Sequence, residues 1–121
     1  MAIIVEKYGG TSVGSIERIT AVADKVARSH EAGDQMVVVV SAMSGETNRL
    51  LGLANEIDPE ASARENDVLV STGEQVTIAL LCMALHKIGQ KAKSYTGGQA
   101  MILTDTAHGR ARIRSIDNSR M

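Results

Sequence analysis

Lys7 and the stretch Gly9-Gly10-Thr11-Ser12-Val13-Gly14-Ser15 set a cation, glycines and hydroxyl groups directly after an apolar run. Residues of these types suit an anion. Glycines let backbone N–H groups approach a ligand, hydroxyls donate hydrogen bonds, and a lysine at the preceding strand end can reach across the turn. Where such a turn opens a helix, unpaired first-turn N–H groups and the positive dipole end make it a phosphate site. It is not a Walker loop: Gly9 and Gly14 have the right separation, but Ser15 stands where that loop carries lysine. Nor is it the dinucleotide fingerprint, because Gly9, Gly10 and Gly14 have the wrong intervals. The plain alternative is a tight strand-to-helix turn beside an exposed lysine.

A second polar turn, Ser41 to Asn48, follows the valines 37–40. Ser41, Ser44, Thr47 and Asn48 are small groups suited to gripping a polar molecule, and open parallel sheets bind ligands at this strand edge. Alone, the turn would be read as a helix cap. Glu74, after Ser71-Thr72-Gly73, reads as a carboxylate at a helix start, where the dipole favours an anion. An ordinary first-turn glutamate is its plain alternative. Cys82 and Met83 read as packing, and His30 and His86 as residues near helix ends. No histidine has metal-ligand spacing to another, so no metal ligands are expected. Arg110, Arg112 and Arg114 alternate, as on a solvated strand face or a contact with further chain.

These groups need a scaffold, and the sequence supplies an α/β one. Residues 2–8 read as a buried strand. Ile16, Ile19, Val22, Ala23, Val26 and Ala27 recur at helical spacing from a cap at Ser15 to a stop at Gly33. Residues 35–43 read as a second strand covered on both faces, as in a parallel sheet. Strand, helix, strand with short links is a right-handed crossover. A short helix follows over 46–57 and ends before Pro59. Residues 61–88 read as two helices meeting at Gly73, the second of them buried. Strands are expected over 91–97 and 101–106, about the turn Gly97-Gly98, and a last strand or its approach near Ile113. With 44% hydrophobic residues and no Trp or Phe, the core must be built from Val, Ile, Leu, Met and Ala.

A net charge of -1 gives no ground for nucleic-acid binding. No leading signal-type segment or membrane-length apolar run is read, and the lone Cys82 makes the reducing cytoplasm the default compartment.

The wording KYGGTSVGS, VVVVSAMSGETN and VSTGEQ, continuing through SYTGGQAMILTD and HGRARI, closely resembles the aspartate kinases of the amino acid kinase family. The resemblance implies a three-layer sandwich about a mainly parallel sheet. It implies phosphoryl transfer from Mg-ATP to the side chain of L-aspartate, giving 4-phospho-L-aspartate on the route to lysine, threonine and methionine. Lys7 would contact the ATP phosphates and offset charge during transfer. Gly9, Gly10, Thr11 and Ser12 would cradle those phosphates, Ser41 and Thr47 would line the aspartate pocket, and Glu74 would pair with the substrate ammonium. The attacking carboxylate is already ionised at neutral pH, so no general base is needed.

Such kinases are longer, with a second half carrying an RGGSD-type motif and most of the nucleoside pocket, then regulatory domains. Residues 1–121 are therefore expected to be a truncated, N-terminal portion of the kinase domain, inactive or nearly so alone, from a cytoplasmic homo-oligomer with neither nucleic acid nor membrane as partner. A sister kinase acting on another carboxylate, and a non-catalytic phosphate-binding chain, remain open.

Overall fold

A computed structural model describes residues 2–117 and 119. Its elements run β1 (Ile3–Tyr8), α1 (Ile16–Glu31), β2 (Gln35–Val40), α2 (Glu46–Ile57), α3 (Ala63–Lys87), β3 (Ile102–Thr104) and β4 (Ile113–Ile116). β1 and β2 pair in parallel, from Ile3 opposite Gln35 to Tyr8 opposite Val40. The α1 crossover returns the chain to the starting end of the sheet, which is what parallel pairing requires. The class is α/β.

The sequence explains α1 at both ends. The Ser15 hydroxyl accepts the Arg18 N–H at 3.2 Å, Glu17 sits in the first turn, and Arg28 and His30 lie in the last. Past Ala32, Gly33 adopts φ +109°, a left-handed conformation that suits glycine and ends the helix. The helix buries Ile19, Val22, Ala23, Val26 and Ala27, and its core continues into Val13, Val40, Leu81 and Leu85. Period-two alternation sorts β1: Ile4, Glu6 and Tyr8 are half-buried, while Ile3 and Val5 on the other face are 68% and 64% exposed. Helices thus cover one face of the pair, and no covering layer lies on the other among the described residues.

Several expectations need correction. Gly73 does not break the chain into two helices, because α3 runs unbroken from Ala63 to Lys87. Glycine disfavours a helix interior by about 1 kcal/mol relative to alanine. Packing explains its presence: a Cβ on Gly73 would lie 2.9 Å from the Ala42 Cβ and 3.6 Å from Glu46 Cγ and Leu50 Cδ1. Glu74 therefore sits mid-helix, away from the dipole end that the sequence reading assigned to it. α3 is also long and apolar enough to cross a membrane by length and composition, with mean hydropathy 1.7 over its most apolar part. The polar run Ser71 to Gln75 hides this from a reading of continuous apolar stretches. In this fold α3 sends Thr77, Leu81 and Leu85 into the core.

Residues 91–97 form no strand: Gln90 is tied to Glu31 at 3.0 Å, and His86 Nε2 lies 2.8 Å from the Ala92 carbonyl oxygen. β3 is shorter than expected, because Asp105 turns the chain. Its carboxylate accepts the N–H groups of Ala107 at 3.0 Å and Arg112 at 3.3 Å. β3 and β4 form a separate antiparallel hairpin. It docks on α3 where Gly109 N–H donates to Asp67 Oδ2 at 2.8 Å, with His108 Nδ1 3.5 Å from the same oxygen. Of the basic tail, residues 118, 120 and 121 lie outside the described residues.

Candidate functional site

Because β1 and β2 end flush, the turns that follow them leave the same sheet edge side by side. The Ser41 N–H donates to the Tyr8 carbonyl at 3.1 Å, tying the second turn to the end of the first strand. The first turn closes on itself through Ser12 N–H to the Gly9 carbonyl at 3.0 Å. Val13, fully buried, pins it to the core. That anchor escaped the sequence reading, although Val13 is the sole apolar residue in Gly9–Ser15.

The glycines of this turn do different work. A Cβ on Gly9 would meet nothing within 4 Å, so its backbone is open to a ligand. A Cβ on Gly10 would lie 3.2 Å from the Ala42 carbonyl oxygen, and one on Gly14 would lie 3.1 Å from Ser44 Cβ. Gly10 and Gly14 are therefore contact points at which the first turn presses against the second. From the opposite side, Gly73 of α3 makes the same kind of approach to Ala42. Ala42 is thus met by Gly10 at its carbonyl oxygen and by Gly73 at its Cβ.

The open cleft between the turns has a volume of about 480 Å³. Gly10 and Thr11 line it from the first turn, Ser41 and Thr47 from the second, and Glu74 from α3. Ser44 and Asn48 also line it, as do Ala42, Met43 and Gly45, which the sequence reading did not single out. Lys7, Gly9 and Ser12 are not among its walls. Lys7 is exposed at the end of β1, on the uncovered sheet face with Ile3 and Val5.

α2 opens into this cleft. Its N-cap, Gly45, has φ +79°, a left-handed conformation, and gives no side-chain cap to the first-turn N–H groups. Thr47 lies in that first turn, so the positive dipole end and a hydroxyl face the space together. Glu46 is engaged elsewhere: Arg49 Nη2 stands 2.6 Å from its carboxylate and, through that hydrogen bond, holds the Glu46 carboxyl below its ordinary range. Glu74 is the acidic side chain that lines the cleft. A cleft with an uncapped helix start at one wall and a carboxylate at another can take a zwitterion, its anionic end on α2 and its cationic end on Glu74.

Behind the turns, the Tyr8 hydroxyl donates to the Glu6 carboxylate, and the Lys25 ammonium lies 5.6 Å from the Tyr8 ring centre. Burial, reinforced by that hydrogen bond and the Glu6 charge, pushes the Tyr8 hydroxyl up to about 12. Among the described residues, no three His, Cys, Asp or Glu side chains come together as a metal site.

The sequence matches the amino acid kinase family over residues 2–121. It is 66% identical to an aspartokinase of Pseudomonas aeruginosa across 98% of this chain, and it spans 29% of that relative's length. An aspartokinase 2 of Bacillus subtilis is 53% identical, with 98% of this chain and 29% of the relative covered. Among solved structures, an aspartate kinase from Synechocystis superposes with a TM-score of 0.78 at 54% identity, over 81% of this chain and 17% of that one.

Proposed function

The chain belongs to the amino acid kinase family, and from that premise we propose that it is the N-terminal part of an aspartate kinase domain. The parent protein transfers the γ-phosphoryl group of Mg-ATP to the side-chain carboxylate of L-aspartate. The products are 4-phospho-L-aspartate and ADP, at the entry to lysine, threonine and methionine biosynthesis. One observation carries this reading: a single cleft gathers Gly10 and Thr11 with Ser41, Thr47 and Glu74.

The chemistry follows from charge. An anionic carboxylate must approach an anionic phosphate, so positioning and neutralisation are the main demands. Glu74 pairs with the ammonium of aspartate and orients it. The hydroxyls of Ser41 and Thr47, with the α2 dipole, hold carboxylate oxygens. The backbone at Gly9 and Gly10 and the hydroxyls of Thr11 and Ser12 receive phosphate oxygens. Lys7, at the same sheet edge, offsets charge as the phosphoryl group moves. Mg²⁺ commonly binds through nucleotide phosphates with few protein carboxylates. The described residues gather no acidic cluster for it. The same reading makes the parent protein a cytoplasmic homo-oligomer and the 121-residue chain inactive alone.

The test is equilibrium binding of L-aspartate to the full-length protein and to its Glu74→Gln variant. Losing a charge-assisted pair of about 2 kcal/mol should weaken binding by more than about tenfold. Unchanged affinity would contradict the role of Glu74. Tighter binding of another amino acid to the unmodified protein would favour a sister kinase.

A further inference from the structure

We infer that Gly73 is a positioning residue: its missing side chain lets α3 seat against Ala42, and that seating sets where Glu74 stands in the cleft. The inference rests on the aspartate-binding reading of the same cleft. Glycine is the poorest helix former after proline, yet Gly73 lies inside the long helix α3 and is itself buried. A Cβ there would come 2.9 Å from the Ala42 Cβ, closer than such atoms approach, and 3.6 Å from Leu50 Cδ1 behind it. The Ala42 contact is the clash, because a β-carbon has no rotamer by which to withdraw, while Leu50 lies at ordinary contact distance. Ala42 is 5% exposed and Leu50 is 7% exposed.

Gly73 and Thr77 share one buried stripe of α3 and move as a unit. Thr77, fully buried, donates its hydroxyl to the Gly73 carbonyl at 3.3 Å. Ala42 is caught from the other side, because its carbonyl faces Gly10. Relief of a clash at Gly73 must therefore move α3 away from the turn Ser41–Gly45. Glu74 is the next residue and moves with it, while Ser41 and Thr47 stay with β2 and α2. The distance between the cation-binding and anion-binding walls of the cleft is what changes. Displacements near 1 Å in a binding constellation cost up to about a hundredfold.

The test uses the full-length protein as Gly73→Ala, Ala42→Gly and the double variant, with two readouts. In steady-state kinetics, Gly73→Ala should raise KM for aspartate by about tenfold or more and leave KM for ATP within about twofold. The double variant, which removes the opposing Cβ, should restore it. In a spectrum with ¹³C-labelled methionine methyls, the Met43 signal from the cleft wall should shift in Gly73→Ala and return in the double variant. An unchanged aspartate KM in Gly73→Ala would overturn the inference. So would a loss that Ala42→Gly fails to rescue, or a Met43 signal that does not move. Absence of aspartate-dependent turnover in the unmodified protein would sink the functional reading instead, and the Met43 signal would still decide the contact.

Discussion

The Ser41 N–H donates to the Tyr8 carbonyl across 3.1 Å, joining the residue just past β2 to the last residue of β1. This bond extends the parallel ladder by one step beyond β2. It fixes the two turns at a common depth, so that Thr11 and Ser41 line one cleft.

The contact between those turns gives a stability prediction. Gly10→Ala would place a methyl 3.2 Å from the Ala42 carbonyl oxygen, which the backbone cannot readily withdraw. Overpacking of this kind should cost about 1–2 kcal/mol, read as a lower urea midpoint with an unchanged slope. Gly9→Ala, with nothing within 4 Å, should leave the midpoint nearly unchanged.

Tyr8 gives a pH prediction. Its hydroxyl is raised from 10.0 to about 12 in the fold by burial, the Glu6 hydrogen bond and the Glu6 charge. The folded state thus keeps a proton that the unfolded state releases first. The contribution is fully present below pH 10 and disappears as pH rises towards 12. Denaturation midpoints from about pH 9 to about pH 11.5 should fall more steeply for the unmodified chain than for Tyr8→Phe. Parallel slopes would remove Tyr8 from the account.

Asp67 gives a local prediction. It holds the β3–β4 hairpin by accepting the Gly109 N–H at 2.8 Å. Because the site is half-exposed, Asp67→Ala should cost only about 1 kcal/mol overall. Amide exchange at Gly109 should nonetheless accelerate well beyond that at Val22 or Val26 in the core of α1.

Much of this arrangement was legible in the residues, because the signals were local. Ser15 as a cap, the apolar spacing of Ile19 to Ala27 and the run of valines 37–40 report directly on α1 and β2. Both loops could be assigned to one edge from the crossover alone. Gly73 was misread because intrinsic propensity speaks against a helix there, while the contact with Ala42 that decides the matter is invisible in sequence. Glu74 lines the cleft with Ser41 and Thr47, but from mid-helix, without the dipole that the expected helix start would have offered. Residues 91–97 have strand character, but Gln90 and Ala92 are held by side chains of Glu31 and His86. Val13 looked like part of a polar loop and is its anchor.

The proposed phosphoryl transfer to aspartate depends on Lys7 and on the cleft at the same sheet edge. The most direct measurement is hydroxamate formation from ATP, Mg²⁺ and L-aspartate, with hydroxylamine trapping the acyl phosphate. It should be run on the full-length protein, its Lys7→Ala variant and the 121-residue chain alone. Aspartyl hydroxamate is expected from the full-length protein, with a loss of about a hundredfold or more in the variant and none from the short chain. Undiminished product from Lys7→Ala, or no product from the full-length protein, would contradict that proposal.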